Sequence, residues 1–319
     1  MSVIAFDTSN YTTSIAFFDG TGGENCSRLL PVKQGELGLR QSDAVFHHTK
    51  SLPELSDRLF SHVDISGVTA VGVSTRPRAV EGSYMPCFLV GCSHARLLAD
   101  ALKVPLIQCS HQQGHVAASL WSAGRLELMD QPHLAWHLSG GTTELLLVEP
   151  EGRNVRCTHI GGTTDISAGQ LIDRTGQLLG LPFPSGKFLD QLSREAVRKD
   201  VYKVKCPGME FSMSGLQNKV QQFFAATADP AETAAYALRC VVNGVWQATE
   251  HARKAYPGLP VVFSGGVASN TLLRELTRPL EPVFAQPQYS TDNAMGVAVI
   301  AYRMREVTNA ADSVNNTGK

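Results

Sequence analysis

His111 and His115 lie four residues apart in a segment of helical composition, which puts both imidazoles on one helix face, one turn apart. Two such rings can hold a single transition-metal ion, which takes a carboxylate as its third ligand and keeps positions open for substrate. Asp292, in Ser290-Thr291-Asp292-Asn293, is the candidate carboxylate, although spacing alone brings it no nearer to the pair. The same residues also read as two histidines on a solvated helix and an aspartate capping the next one.

Three turns of small residues are the other chemical candidates: Asp7-Thr8-Ser9, Ser139-Gly140-Gly141-Thr142-Thr143 and Ser264-Gly265-Gly266-Val267-Ala268-Ser269-Asn270. Glycine lets a backbone come close to a ligand, and N–H groups at a turn or helix start form an anion nest, the chemistry of phosphate binding. Each turn taken alone is also an ordinary tight turn. Together they point to a nucleotide or acyl phosphate. Asp165 reads as a helix N-cap, whereas Asp173 and Asp190 read either as acceptors for a ribose or amino-acid hydroxyl or as solvated helical carboxylates. The adjacent His47 and His48 read as a solvated helix face.

The elements that must carry these residues show a repeated grammar. Val3 to Phe6 is an apolar run, Asp7 to Asn10 a small polar turn, and Thr13 to Phe18 a second apolar run. The pattern returns at His133 to Leu138, Ser139 to Thr143 and Leu145 to Val148, which predicts two similar halves. Between the hairpins, helices over 44–63, 84–102 and 111–121 alternate with strands at 70–74 and 105–108, an α/β arrangement. The second half predicts helices over 165–179, 187–199, 212–226 and 232–255, a strand at 260–263, and helices from about Ser269 and Asn293. The expected division is an N-terminal α/β lobe at 1–132, a C-terminal α/β lobe at 133–309 with a helical insertion at about 165–227, and a polar, frayed tail at 310–319.

Composition excludes several classes. The 319 residues suit two domains rather than one, and 43% apolar with 18% charged residues describes a packed globular chain. With 28 basic against 29 acidic residues there is no overall basic surplus, so any RNA contact must be local or supplied by a partner. No stretch is apolar enough to cross a bilayer, and the apolar strand expected from Val3, with no basic region or cleavage site before it, argues against secretion. Seven cysteines without a CxxC pair suit a reducing cytoplasm and read as buried, inert thiols.

In chain order, Asp7-Thr8-Ser9, His111-x-x-x-His115, Ser139 to Thr143, Asp165-x-x-x-Gly169-x-x-x-Asp173, Phe211-Ser212-Met213-Ser214-Gly215-Leu216, Ser264 to Asn270 and Ser290 to Gly296 resemble the TsaD/Gcp-like family. Its members are tRNA threonylcarbamoyladenosine synthases. The resemblance implies an actin/sugar-kinase/Hsp70-like fold, with duplicated lobes around a cleft. It implies a divalent metal, iron or zinc, on His111, His115 and Asp292. It implies substrate contacts at Leu138, Ser139, Gly140, Gly141, Thr142, Asp173, Gly186, Asp190 and Asn270, with Asp7 and Ser9 as catalytic candidates. The implied reaction moves a threonylcarbamoyl group from threonylcarbamoyl-AMP to N6 of the tRNA adenosine beside the anticodon and releases AMP, with companion subunits as partners.

The chain also departs from the family pattern. Asn10-Tyr11-Thr12 replaces an acidic stretch, Thr142 replaces a histidine, and Pro184-Ser185-Gly186-Lys187 replaces Pro-Gly-Gly-Pro. Gly169-Gln170 replaces Gly-Glu, and Thr75 to Gly82 replaces a Gly-Pro-Gly-Leu loop. Those changes keep two alternatives open: a divergent paralogue that carbamoylates another acceptor, and a non-catalytic nucleotide-binding partner subunit.

Overall fold

The computed structural model describes residues 1–31 and 39–315, and for 306–315 the backbone alone. An apolar run with no alternation signals a strand covered on both faces. β1 (Ser2–Thr8) is accordingly buried at every residue and sits at the centre of a five-stranded sheet. It pairs antiparallel with β2 (Thr12–Phe18), and β2 with β3 (Gly23–Leu29). After α1 (Gln41–Phe60), β4 (Val68–Ser74) returns parallel to β1. α2 (Phe88–Leu102) then leads to β5 (Leu106–Cys109), parallel to β4, and α3 (His111–Ser122) follows at once.

The second sheet repeats this plan. β6 (His133–Leu138), β7 (Thr143–Glu151) and β8 (Asn154–Thr163) are sequential neighbours. Then come α4 (Ala168–Leu178), α5 (Gly186–Ser193), the short β9 (Glu210–Phe211), α6 (Ser214–Thr227) and the long α7 (Pro230–Ala255). β10 (Val261–Ser264) pairs parallel with β6, and after α8 (Thr271–Thr277), β11 (Val283–Phe284) pairs parallel with β10. The first sheet is ordered β3-β2-β1-β4-β5 and the second β8-β7-β6-β10-β11, with β9 added on β8. The duplication read from the two hairpins is therefore a duplication of topology.

The third strands, β3 and β8, and the two-residue strands β9 and β11 are elements that hydropathy did not announce. β3, with the sequence GENCSRL, is an edge strand that buries only Cys26, so it carries no apolar period to detect. α9 (Met295–Asn315) closes the chain, and its backbone is helical through the first part of the segment expected to fray, while 316–319 lie outside the described residues.

By internal contacts the chain forms two units, Met1–Gln131 with Glu149–Cys157 and Asp292–Lys319, and Pro132–Val148 with Thr158–Thr291. The first takes α9, which packs on β1, β4 and α3, so its chain returns after a long excursion. The core of the first unit gathers Ile4, Phe6, Ile15, Val71 and Val73 with Leu52, Leu55 and Leu59 of α1. The core of the second gathers Trp136, Leu138, Phe211, Val241, Val245 and Phe263.

Three local readings change. His48 is fully buried rather than solvated, because α1 turns Ala44, His48, Leu52, Leu55 and Leu59 toward the sheet, and its Nδ1 lies 2.8 Å from the Thr13 hydroxyl. The N-cap of α4 is Ser167, in a reciprocal capping box with Gln170, and not Asp165. Asp165 instead accepts from the Ser212 hydroxyl at 2.5 Å and from the Met213 and Ser214 N–H groups at 2.8 and 3.1 Å, which anchors the start of α6. The helix expected over 187–199 stops at Ser193: turn bonds from the N–H groups of Arg194, Glu195 and Ala196 to the carbonyls of Gln191, Leu192 and Ser193 close it, and from Val197 onward the backbone bonds to side chains of α7.

Candidate metal centre

Ser110 follows β5 and caps α3: its hydroxyl accepts from Gln113 N–H at 3.2 Å, while Gln113 Oε1 accepts from Ser110 N–H at 2.8 Å. That box fixes the first turn of α3 and so the start of the His111–His115 face. The loop at 75–82, where the chain departs most from the family pattern, also serves this end. The carbonyls of Arg76 and Pro77 accept from His111 and Gln112 N–H at 2.9 and 3.0 Å, satisfying donors that a helix start leaves over.

Asp292 arrives from the other end of the chain because α9 packs tightly on α3. A Cβ on Gly296 would lie 1.8 Å from the Gly114 carbonyl oxygen and 2.7 Å from Ala118 N, so only glycine permits this approach. Asp292 is consequently no helix cap: Asn293 Oδ1 accepts from Met295 N–H at 3.1 Å, and Asp292 turns to the histidines. The two Nε2 atoms are 2.9 Å apart, and Asp292 Oδ1 is 3.5 Å from that of His111 and 3.2 Å from that of His115.

Behind this trio each ligand is held. Asp7, buried at the end of β1, accepts from His111 Nδ1–H at 2.7 Å with one oxygen and from the Ser74 hydroxyl at 2.6 Å with the other. With the proton on Nδ1, the lone pair of His111 Nε2 faces inward, the arrangement of a metal-bound imidazole with its outer carboxylate. The Ser9 hydroxyl donates to Asp292 Oδ2 at 3.2 Å.

The donor set fits a transition-metal ion. Ligand atoms about 2.0–2.1 Å from a tetrahedral centre lie about 3.3 Å from one another, and the three separations here bracket that value. The electrostatics agree. Burial opposes the charge on His111, but the Asp7 and Asp292 carboxylates overcome it and push the pKa up to about 10. Burial likewise opposes ionisation of Asp292, and the two histidines hold its carboxyl well below the usual range. The Asp292 carboxylate on the Nε2 side of His111 and the Asp7 carboxylate on its Nδ1 side thus demand positive charge at this point, supplied by a proton or by a cation.

Asp7, Ser9, His111, His115 and Asp292 are brought together in the first unit. The expected substrate residues all fall in the second. Leu138 ends β6, and the β6–β7 turn is closed by Ser139 N–H to the Thr142 carbonyl at 2.8 Å and by Thr142 N–H to Ser139 Oγ at 3.1 Å, so threonine at 142 leaves the turn intact. Ser167 ties α4 to this turn by donating to the Gly140 carbonyl at 2.6 Å. Cβ atoms on Gly140, Gly141 or Gly186 would meet nothing within 4 Å, so internal packing does not account for glycine there.

Asp173, half-buried, accepts from Ser185 N–H at 2.8 Å beside Gly186, and burial raises its pKa against that bond. Asp190 accepts from the N–H of Thr271 at 3.0 Å and from its hydroxyl, while Asn270 caps α8 by accepting from Leu273 N–H at 2.9 Å. Asp190 and Asn270 therefore meet at the start of α8. The cysteines hold no reactive thiolate: burial pushes Cys87 and Cys240 up to about 11 and Cys157 to about 12. Sequence reasoning missed Ser74, the carbonyls of 76 and 77, and the Gly114–Gly296 contact. None of them has a local pattern that announces it.

A family model described as tRNA N6-adenosine threonylcarbamoyltransferase matches residues 34–299. A protein of that name from Carboxydothermus hydrogenoformans is 32% identical over 268 residues, 80% of this chain and 77% of the relative. Another of the same name from Lactococcus lactis is 30% identical over 323 residues, covering 94% and 91%. Among solved structures, full-length HypF in a phosphate- and nucleotide-bound form superposes with a TM-score of 0.59 at 16% identity, over 95% of this chain and 55% of that one. Component A of the Acidaminococcus fermentans (R)-2-hydroxyglutaryl-CoA dehydratase gives 0.56 at 14% identity, over 96% and 99%. At such identities the structural likeness speaks for the fold alone, the actin/sugar-kinase/Hsp70-like one.

Proposed function

The chain belongs to the TsaD family of tRNA N6-adenosine threonylcarbamoyltransferases, and from that premise we propose a metal-assisted acyl transfer centred on His111, His115 and Asp292. It is an acyltransferase of tRNA modification, acting in the synthesis of N6-threonylcarbamoyladenosine. The carbonyl carbon of the threonylcarbamoyl group forms a bond to adenosine N6, its bond to the phosphate oxygen breaks, N6 loses a proton, and AMP leaves.

The observation that carries the reading is the convergence of two imidazoles and a carboxylate whose ligand atoms all lie within 4.8 Å of one another. When bound there, an iron or zinc ion supplies Lewis-acid polarisation of the mixed anhydride. The chain's own residues do the rest. Asp7 fixes the tautomer and orientation of His111, and Ser9 steadies Asp292, so the ligands need no rearrangement to receive charge. The open Gly140-Gly141 turn offers backbone to an approaching phosphate without a side chain in the way, and its geometry is preset by its own two hydrogen bonds. Asp173, Asp190 and Asn270 are assigned to the hydroxyls and base of the nucleotide. Companion subunits and a cytoplasmic location go with a tRNA substrate. Among the described residues no helix is long and apolar enough to cross a membrane.

The test is made in cells where this chain is the sole transferase. Mass spectrometry of their tRNA nucleosides shows threonylcarbamoyladenosine, and His111→Ala or Asp292→Ala abolishes it together with bound metal. An undiminished level of the modified nucleoside with either variant overturns the assignment.

A further inference from the structure

Residues 194–205 carry five basic side chains against two acidic ones in a chain whose overall charge is −1. This segment is neither helix nor strand, yet it is held in place. Glu232 accepts from the N–H groups of Val197 and Arg198 at 2.9 and 3.0 Å, Cys240 Sγ from Tyr202 N–H at 3.3 Å, and Asn243 Oδ1 from Val204 N–H at 2.9 Å. Gln247 Nε2 donates to the Val204 carbonyl at 2.7 Å. Fifteen helical residues and seven extended ones each span about 22–23 Å, so the segment runs alongside α7 as a straight strap. Its exposure alternates, with Tyr202, Val204 and Cys206 turned inward and Lys203 and Lys205 outward.

Beside the strap lies a groove of about 560 Å³, lined by Lys199, Arg239, Trp246, Leu272 and Leu276, with Glu275 on its α8 rim. Trp246 is half-buried, and its indole N–H has no partner among the described residues. Lys199, Lys203, Lys205 and Arg239 have no carboxylate partner there either, whereas Arg194 and Arg198 are paired with Asp190 and Asp200.

We propose that this strap and groove form an RNA-docking surface, in which Lys199, Lys203 and Lys205 meet backbone phosphates and Trp246 stacks on a base. A row of unpaired cations beside an aromatic face is the chemistry that single-stranded or looped RNA requires. An acidic polypeptide would match the cations but leave the indole face unused. The inference rests on the reading of the chain as an enzyme of tRNA, and it supplies the local basic patch that the near-neutral composition otherwise lacks.

The test measures binding of a fluorescently labelled, unmodified tRNA transcript to the full chain over a range of salt concentrations. Replacing Lys199, Lys203 and Lys205 together by alanine lowers the dependence of log affinity on log salt by about two to three, since each phosphate contact contributes roughly 0.7–0.9. Trp246→Leu keeps an apolar filler in the groove and weakens binding roughly 5- to 150-fold with the salt slope unchanged. Unchanged melting temperatures show that both variants fold. If the wild type binds and both variants bind equally well, the surface is overturned and the family reading stands. If the wild type binds no transcript, the surface is equally overturned, and the nucleoside assay decides the family reading by itself. Competition by poly-glutamate as strong as by unlabelled RNA assigns the strap to acidic protein and also overturns the inference.

Discussion

Gly296→Ala tests how the two ends of the chain build one site. The new Cβ would stand 1.8 Å from the Gly114 carbonyl oxygen, and ordinary contact begins near 3.4 Å, so α9 must retreat from α3 by about 1.6 Å. The obstacle is backbone, which cannot rotate aside as a side chain can. Overpacking of this kind costs about 1–3 kcal/mol, which lowers the melting temperature by about 1.5–4.5 °C in a chain of 319 residues. Asp292 lies four residues ahead of Gly296 and retreats with it. Metal–ligand distances tolerate only about ±0.2 Å, so affinity for zinc or iron falls by at least the roughly 10- to 100-fold typical of a disturbed support. Gly114→Ala is the control, because its Cβ meets only the movable Val297 Cγ2 at 3.1 Å and nothing else nearer than 3.7 Å. That variant keeps its stability or gains up to about 1 kcal/mol of helix propensity. Differential scanning calorimetry with metal titration reads both. Equal stabilities and equal metal affinities for the two variants would refute the argument that this glycine contact positions Asp292.

Asp7→Asn keeps the shape of the support but removes its charge, and lowers metal affinity roughly 10- to 100-fold by calorimetry; an unchanged affinity would show that Asp7 does not orient His111. Gly140→Ala and Gly141→Ala meet no neighbour within 4 Å. They therefore leave the melting temperature in place while weakening AMP binding, and AMP affinity equal to wild type would remove the turn from the site. Burial tends to raise the pKa of Asp165, but hydrogen bonds from Ser212, Ser214 and Met213 hold it down at about 2. Its folded pKa is depressed, so the stability it contributes is present above its unfolded pKa near 3.8 and is lost as the pH falls through about 2. Asp165→Ala accordingly loosens the start of α6 at neutral pH, seen as faster amide exchange at Met213 to Gly215. The difference from wild type closes between pH 4 and 2, and a difference that persisted at the acid end would refute the assignment.

The doubled hairpin, the α/β class, the His111–His115 face and the order of motifs that identifies the family are all legible in the chain before it folds. The first three rest on periodicities and spacings within a few residues, where backbone geometry alone says which side chains share a face, and the fourth on short local motifs taken in chain order. Polar edge strands such as β3 escaped, because a strand with only Cys26 buried prints no apolar period. The helix expected to run on to 199 ends at Ser193 because the strap's donors from Val197 onward are satisfied by side chains of α7, at sequence distances of 34 to 39 residues. The partner of the histidines was decided only in three dimensions. Asp292 could have been a cap, and it is a candidate ligand because Gly296 lets α9 sit against Gly114 of α3, 182 residues away. Asp7 likewise reaches His111 only because β1 and β5 flank β4 in one parallel register. Such contacts depend on which surfaces can approach closely enough to pack, and packing has no local code in the chain.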